Sequence, residues 1–184
     1  YPGHKHIVFA TLSEEAKNRC LICTAPSKTF NLAGLQTSNL LIPNQELRRK
    51  VKKALYTKTG YQELNQLGLV ACQAAYETGE EWLKELKIYL EGNLDYVRTF
   101  LKENLPEIKL TEPEGTYLLW LDFKSLGMKE EQLKNLVENK AKLWLDSGAM
   151  FGPDGEGFER INIACPREIL KQALTQLAES VHDR

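Results

Sequence analysis

Ala25-Pro26-Ser27-Lys28-Thr29-Phe30-Asn31-Leu32-Ala33-Gly34-Leu35 is the stretch on which the reading of this chain turns. It follows an apolar run of strand length, Arg19 to Thr24, which Pro26 ends. Polar residues 27–31 make a loop, and a second apolar run covers Asn39 to Ile42. A lysine at this strand-to-loop junction has two readings. It is a solvated surface charge, as most lysines are, or a reactive amine presented by the scaffold behind it.

Outward from the loop, the chain starts at Tyr1-Pro2-Gly3, already in a turn and without a methionine, and is read as part of a longer protein. Ile7 to Leu12 reads as a short helix before Ser13. Pro43-Asn44 opens a helix to about Thr57. Tyr61 to Thr78 reads as a helix with Leu64, Leu67, Ala71, Ala74 and Ala75 inward. Glu80 to Asn104 carries Trp82, Leu83, Leu86, Tyr89, Leu90, Leu94, Val97, Phe100 and Leu101 at a period near 3.6. At ~1.5 Å per residue that helix is about 40 Å long, enough to join two lobes.

Beyond Pro106 the pattern changes to short strands at 108–110 and 116–123, separated by the turn Glu112-Pro113-Glu114-Gly115. Lys129 to Lys142 reads as a helix and 143–145 as a strand. A loop rich in glycine, with Gly148, Gly152, Gly155 and Gly157, follows. Arg160 to Cys165 alternates as a strand, and Pro166 suits the first turn of a closing helix. The pattern is that of an α/β protein, divided near residue 96 into parts 1–96 and 97–184.

The 184 residues are 42% apolar and 27% charged, which excludes a disordered, collagen-like or disulfide-scaffold chain. Net charge is -1, so no global field draws the chain to nucleic acid or a membrane. Cys20, Cys23, Cys72 and Cys165 have no framework spacing, and reduced thiols in a cytoplasmic protein are expected. No apolar run approaches the roughly 20 residues of a membrane span, and no signal-peptide pattern is read.

Four further features resolve towards the bland reading. Cys20 and Cys23 match Cys-x-x-Cys, but residues three apart on a strand point to opposite faces. His4 and His6 lack the acidic or thiol partners of a metal site, so no metal is expected. Between Glu46 and Lys58 lie six basic residues and one acidic one. With no aromatic platform beside them they read as a solvated face, buried on the side of Val51, Ala54 and Leu55. The glycine loop lacks the strand and following Lys-Ser/Thr of a phosphate loop, and is read as positioning Arg160.

Ser27-Lys28-Thr29-Phe30-Asn31-Leu32-Ala33-Gly34-Leu35 resembles the lysine motif of the class I/II aminotransferase family, which uses pyridoxal 5'-phosphate. Gly152-Pro153-Asp154-Gly155-Glu156-Gly157-Phe158-Glu159-Arg160-Ile161-Asn162-Ile163-Ala164-Cys165-Pro166-Arg167 resembles that family's segment presenting the arginine for the substrate carboxylate, here Arg160. The two motifs stand in the family's order with a long helix between them. The resemblance runs along essentially the whole chain and matches only the C-terminal half of such an enzyme. Its nearest branch is the cystathionine β-lyases and related cysteine-conjugate C–S lyases.

The resemblance implies a fold-type I architecture. Residues 1–96 would complete a large cofactor-binding domain, and 97–184 would form a small α+β domain. It implies that Lys28 holds the cofactor as an imine and then acts as general base at the substrate Cα. An ordinary lysine, pKa ~10.4, is neutral in only about 1 molecule in 2,500 at pH 7, so a working site must favour the neutral amine. Ser27 would donate to the cofactor phosphate, and Arg160 would clamp the substrate carboxylate bidentately. Tyr117 would lie near the substrate, against the alternative of a core aromatic.

Many family members carry an arginine for the phosphate eight residues after the lysine. Here Gln36 stands there, a donor without charge, which leans towards the C–S lyase branch. The implied reaction is β-elimination from a sulfur amino acid to pyruvate, ammonia and a thiol, in a homodimer. Aminotransfer is the near alternative, and an interaction module without catalysis the distant one. The family's carboxylate for the cofactor ring nitrogen falls upstream of Tyr1, so these 184 residues alone are expected to be inactive.

Overall fold

The computed structural model describes residues 1–60 and 64–184. The Cα trace divides into two compact units, one of residues 5–86 and one of residues 1–4 with 87–184.

In the first unit, Ser13 accepts a hydrogen bond from Ala16 N at 3.0 Å and so caps α1, Glu14–Arg19. The helix expected at Ile7 to Leu12 is instead a single 3-10 turn, Phe9–Thr11. Its place is taken by α1, because a Ser side chain at 13 satisfies a free backbone N–H and nothing does so before Phe9. Strand β1 is therefore short, Ile22–Thr24, and pairs antiparallel with β2, Asn39–Leu41. Helix α2, Gln45–Thr59, is capped by Asn44, whose side chain accepts from Leu47 N at 3.0 Å.

Two expected buried faces are corrected here. Val51 is half-buried, but Ala54 and Leu55 on α2 are exposed. On α3, Gln66–Thr78, the covered stripe is Gly68, Ala71, Cys72 and Ala75, while Leu67 is 73% exposed. Small side chains face inward on α3 because another stretch of backbone lies against them, which leaves no room for leucine. The start expected for this helix, residues 61–63, lies outside the described residues.

Helix α4 is Glu80–Asn104, as its periodicity requires. The division between units falls inside it, between Leu86 and Lys87, rather than near 96. Leu90, Leu94, Val97 and Leu101 already belong to the buried core of the second unit, which moves the boundary towards the N-terminus.

The second unit is built on a four-stranded antiparallel sheet in the order β3-β4-β6-β5. Strand β3 is Lys109–Thr111 and β4 is Leu118–Asp122. Helix α5, Glu130–Lys134, runs into a π-helical turn, Asn135–Lys140. The chain then turns left-handed at Lys142, with φ 56°. That ends the helix and shifts β5 to Asp146–Ser147, beyond the expected 143–145. Strand β6 is Phe158–Asn162, earlier than the expected 160–165. Helix α6, Arg167–His182, follows Pro166 as its N-cap.

The sheet has one covered and one open face. Leu119 and Leu121 of β4 and Ile161 of β6 are buried, with Leu133, Leu136, Leu170, Leu174 and Leu177 from the helices. The alternate residues Trp120, Phe158 and Arg160 are only half-buried. Strands β4 and β6 thus alternate as a one-sided sheet demands.

Asn93, Glu159 and Ser180 are buried polar residues within that core. Asn93 on α4 is fully buried. Its Nδ2 donates to Ile163 O at 2.7 Å and Cys165 O at 3.1 Å, and its Oδ1 accepts from Arg167 Nε. Glu159 is 2% exposed, on the covered face of β6. Burial pushes its carboxyl up to about 7, helped by the negative charges of Glu130, Glu138 and Asp146.

Replacing Asn93 by Ala strands two carbonyls and a guanidinium N–H, so stability should fall by about 2–4 kcal/mol in urea denaturation. Glu159 predicts a pH effect. Its folded pKa lies above its unfolded value, so its contribution is full below about pH 4.5 and is lost as pH rises through about 7. Glu159→Gln should therefore raise the urea midpoint at pH 8, by about 2–3 kcal/mol in stability, and change little at pH 5.

Candidate functional site

The residues singled out by the sequence fall into two groups, one in each unit. In the first unit, Pro26 to Asn31 forms a tight turn, with Phe30 N donating to Pro26 O and Leu32 N to Ser27 O, each at 2.9 Å. Ser27 is half-buried and Lys28 exposed. Among the described residues no carboxylate pairs with the Lys28 amine. Two non-glycine residues of this loop are left-handed, Asn31 at φ 55° and Gln36 at φ 50°. Gln36 ends a 3-10 turn, Ala33–Leu35, and is exposed. Such conformations persist only where the surroundings impose them, and they gather at functional loops.

What imposes them is the packing behind the loop. The Phe30 ring lies 6.2 Å from Tyr76, edge on, and 5.8 Å from Trp82. Thr37 is buried, and its hydroxyl donates to Leu35 O at 3.2 Å. Gly68 of α3 meets this stretch. A Cβ there would stand 2.7 Å from Leu35 O and closer still to Thr37 Oγ1. Gly79 likewise leaves room for the Phe30 ring. The short Gly and Ala side chains of α3 and its end thus allow the lysine loop to be held from behind.

In the second unit, Arg160 lies in the middle of β6, opposite Trp120 on β4 and Asp146 on β5. Its Nε and Nη2 both donate to Asp146 Oδ2, at 3.0 and 2.6 Å. The guanidinium carbon stands 4.7 Å from the centre of the Phe151 ring. Trp120 stacks on Phe158 at 5.3 Å and meets Phe151 edge on at 5.7 Å. The open face of the sheet is therefore an aromatic bed carrying one arginine. Tyr117 is half-buried just before β4, and its carbonyl accepts from Ile163 N at 2.9 Å.

Asp146, Trp120 and Phe151 were not singled out from the sequence. Asp146 sat outside the strand expected at 143–145, and the register that sets it opposite Arg160 is a tertiary fact. Cys23 is exposed, Cys20 half-buried, and all four cysteines are free. Among the described residues no cluster of three His, Cys, Asp or Glu could hold a metal, and no helix is long and apolar enough to cross a membrane.

Pyridoxal phosphate requires an amine free to form an imine and hydrogen-bond donors for its phosphate. The unpaired Lys28 and adjoining Ser27, on a braced turn, fit that chemistry.

No family model matches the chain. It is 40% identical over 175 residues to cystathionine β-lyase PatB of Bacillus subtilis, covering 95% of this chain and 45% of that protein. Among solved structures, cystalysin of Treponema denticola, which contains pyridoxal 5'-phosphate, superposes with a TM-score of 0.94 at 36% identity. It covers 99% of this chain and 46% of that one. The C–S lyase of Staphylococcus hominis, bound to the same cofactor, gives 0.83 at 35% identity, over 98% of this chain and 43% of that one. The chain spans about half the length of the relatives it matches.

Replacing Gly68 by Ala would drive a methyl into Leu35 and Thr37. A loss of about 1–3 kcal/mol in stability is expected, read as a lower thermal midpoint. Along nearly its whole length the chain matches the C-terminal part of proteins with the pyridoxal-phosphate-dependent aminotransferase fold, and the relatives it resembles include cystathionine β-lyases and C–S lyases.

Proposed function

We propose that the protein containing this sequence is a carbon–sulfur β-lyase acting on cystathionine or related cysteine S-conjugates. The supporting observation is the 40% identity to a cystathionine β-lyase over a match long enough to include both Lys28 and Arg160. The unit of residues 5–86 is then the C-terminal part of a large cofactor-binding domain, and that of residues 1–4 with 87–184 contains a small α+β domain. A cytoplasmic homodimer goes with this reading.

Bound pyridoxal phosphate supplies an electron-accepting ring that takes up negative charge left at the substrate Cα. The chain's own residues do the rest. The Ser27 hydroxyl donates to the phosphate, and the Gln36 amide adds an uncharged donor. Lys28 holds the cofactor and, once displaced by substrate, takes the Cα proton on Nζ. Among the described residues no carboxylate partner has to be broken away first. The sulfur leaves Cβ as a thiolate, which is protonated to the thiol, and the three-carbon remainder takes up water to give pyruvate and ammonia. Arg160 binds the substrate carboxylate through its fork. Holding that carboxylate fixes which Cα bond can break. Tyr117 borders the substrate.

The test is pyruvate release from L-cystathionine by the full-length protein, with pyridoxal phosphate present and no 2-oxo acid added. Sustained release is expected, falling about a thousandfold in Lys28→Ala. Amino transfer to 2-oxoglutarate without pyruvate release would make the protein an aminotransferase instead.

A further inference from the structure

Arg160 does not stand alone on the open face of the sheet. A guanidinium has two flat edges that can each hold a carboxylate, one formed by Nε and Nη2 and one by Nη1 and Nη2. Asp146 fills the first edge with a single oxygen, Oδ2, at 3.0 and 2.6 Å. Among the described residues no protein acceptor takes Nη1. Phe151 lies against the guanidinium at 4.7 Å and limits its rotation.

The backbone fixes this arrangement. Asp146 and Arg160 are direct cross-strand partners in the β5–β6 ladder. Ser147, next along β5, donates to Glu130 Oε1 at 2.5 Å, and Gly157, just before β6, donates its N–H to Glu130 Oε2 at 3.2 Å. One carboxylate at the start of α5 thus ties both strands of the ladder together. The two side chains keep 31% and 41% exposure, so the pair is reachable from solvent. As a partly exposed ion pair it adds little to stability. Its consequence is directional, because an arginine on a flexible stem gains an orientation.

We infer that Asp146 is a positioning residue. It holds Arg160 by the Nε–Nη2 edge so that the Nη1–Nη2 edge faces outward as a ready fork for a ligand carboxylate. This rests on the reading of Arg160 as the carboxylate clamp. Asp146 touches neither substrate nor cofactor, and its effect is confined to ligands that carry a carboxylate. The acceptor oxygen, not the charge, does the positioning, so an amide at 146 should preserve it.

The experiment uses the full-length protein with pyridoxal phosphate bound. In Asp146→Ala, KM for L-cystathionine should rise about tenfold with kcat within about threefold. Asp146→Asn, which keeps an acceptor oxygen, should restore KM to within about threefold. Inhibition by L-alanine should weaken in Asp146→Ala, while inhibition by ethylamine, which lacks the carboxylate, should not. Should Asp146→Ala fail to fold, Asp146→Ser serves in its place.

An unchanged KM in Asp146→Ala, or equal weakening of L-alanine and ethylamine, would overturn the inference. Arg160→Ala separates this from failure of the underlying reading. If it raises KM and Asp146→Ala does not, only the positioning role is wrong. If Arg160→Ala leaves KM and L-alanine inhibition unchanged, the carboxylate clamp itself is wrong.

Discussion

A single buried amide governs the second unit. Asn93 sits fully buried on α4 and holds Ile163 O, Cys165 O and Arg167 Nε at once. The two carbonyls belong to the connection between β6 and α6, which has left the sheet ladder and would otherwise bury unpaired polar atoms, and Arg167 opens α6. Tyr89 adds a second tie from the same helix, its hydroxyl accepting from Arg167 N at 2.7 Å. Strand β6 is thereby fixed at its C-terminal end. Its register, and with it the place of Arg160, follows from that anchor and from pairing on both sides.

Alternation along β6 then separates two chemistries that adjoin in sequence. Arg160 faces the open side, with an acceptor and an aromatic ring to hold it. Glu159, one residue earlier, faces the core, where burial disfavours its charge. The same carboxyl type at Asp146 stays partly exposed and paired. Environment, rather than residue type, decides what each acid does. The buried Glu159 weakens the fold at alkaline pH and takes no part in holding Arg160.

The first unit rests on a different constraint, the close approach of backbone to backbone. The lysine loop carries two left-handed residues and a tight turn, so it needs support from behind. That support is the small-residue stripe of α3 and the aromatic contacts of Phe30. Large side chains such as Leu67 and Val70 point outward in consequence.

Elements that depend on local chemistry are legible in the residues alone. The 3.6 period and the flanking residues set α4 at Glu80–Asn104, and Asn44 marked the start of α2. The lysine and arginine motifs carried the resemblance, because their spacing within each segment is a local property. Features that depend on distant partners emerge only when the chain is folded. On α3 the periodicity marks Ala71 and Ala75 inward but misses Gly68 and Cys72, since hydrophobicity favoured the leucines while close packing selected small residues. The ends of β5 and β6 shifted because register is set by the neighbouring strand. Asp146 became visible beside Arg160 only once β5 was paired, for a cross-strand neighbour has no signature in either strand's own sequence.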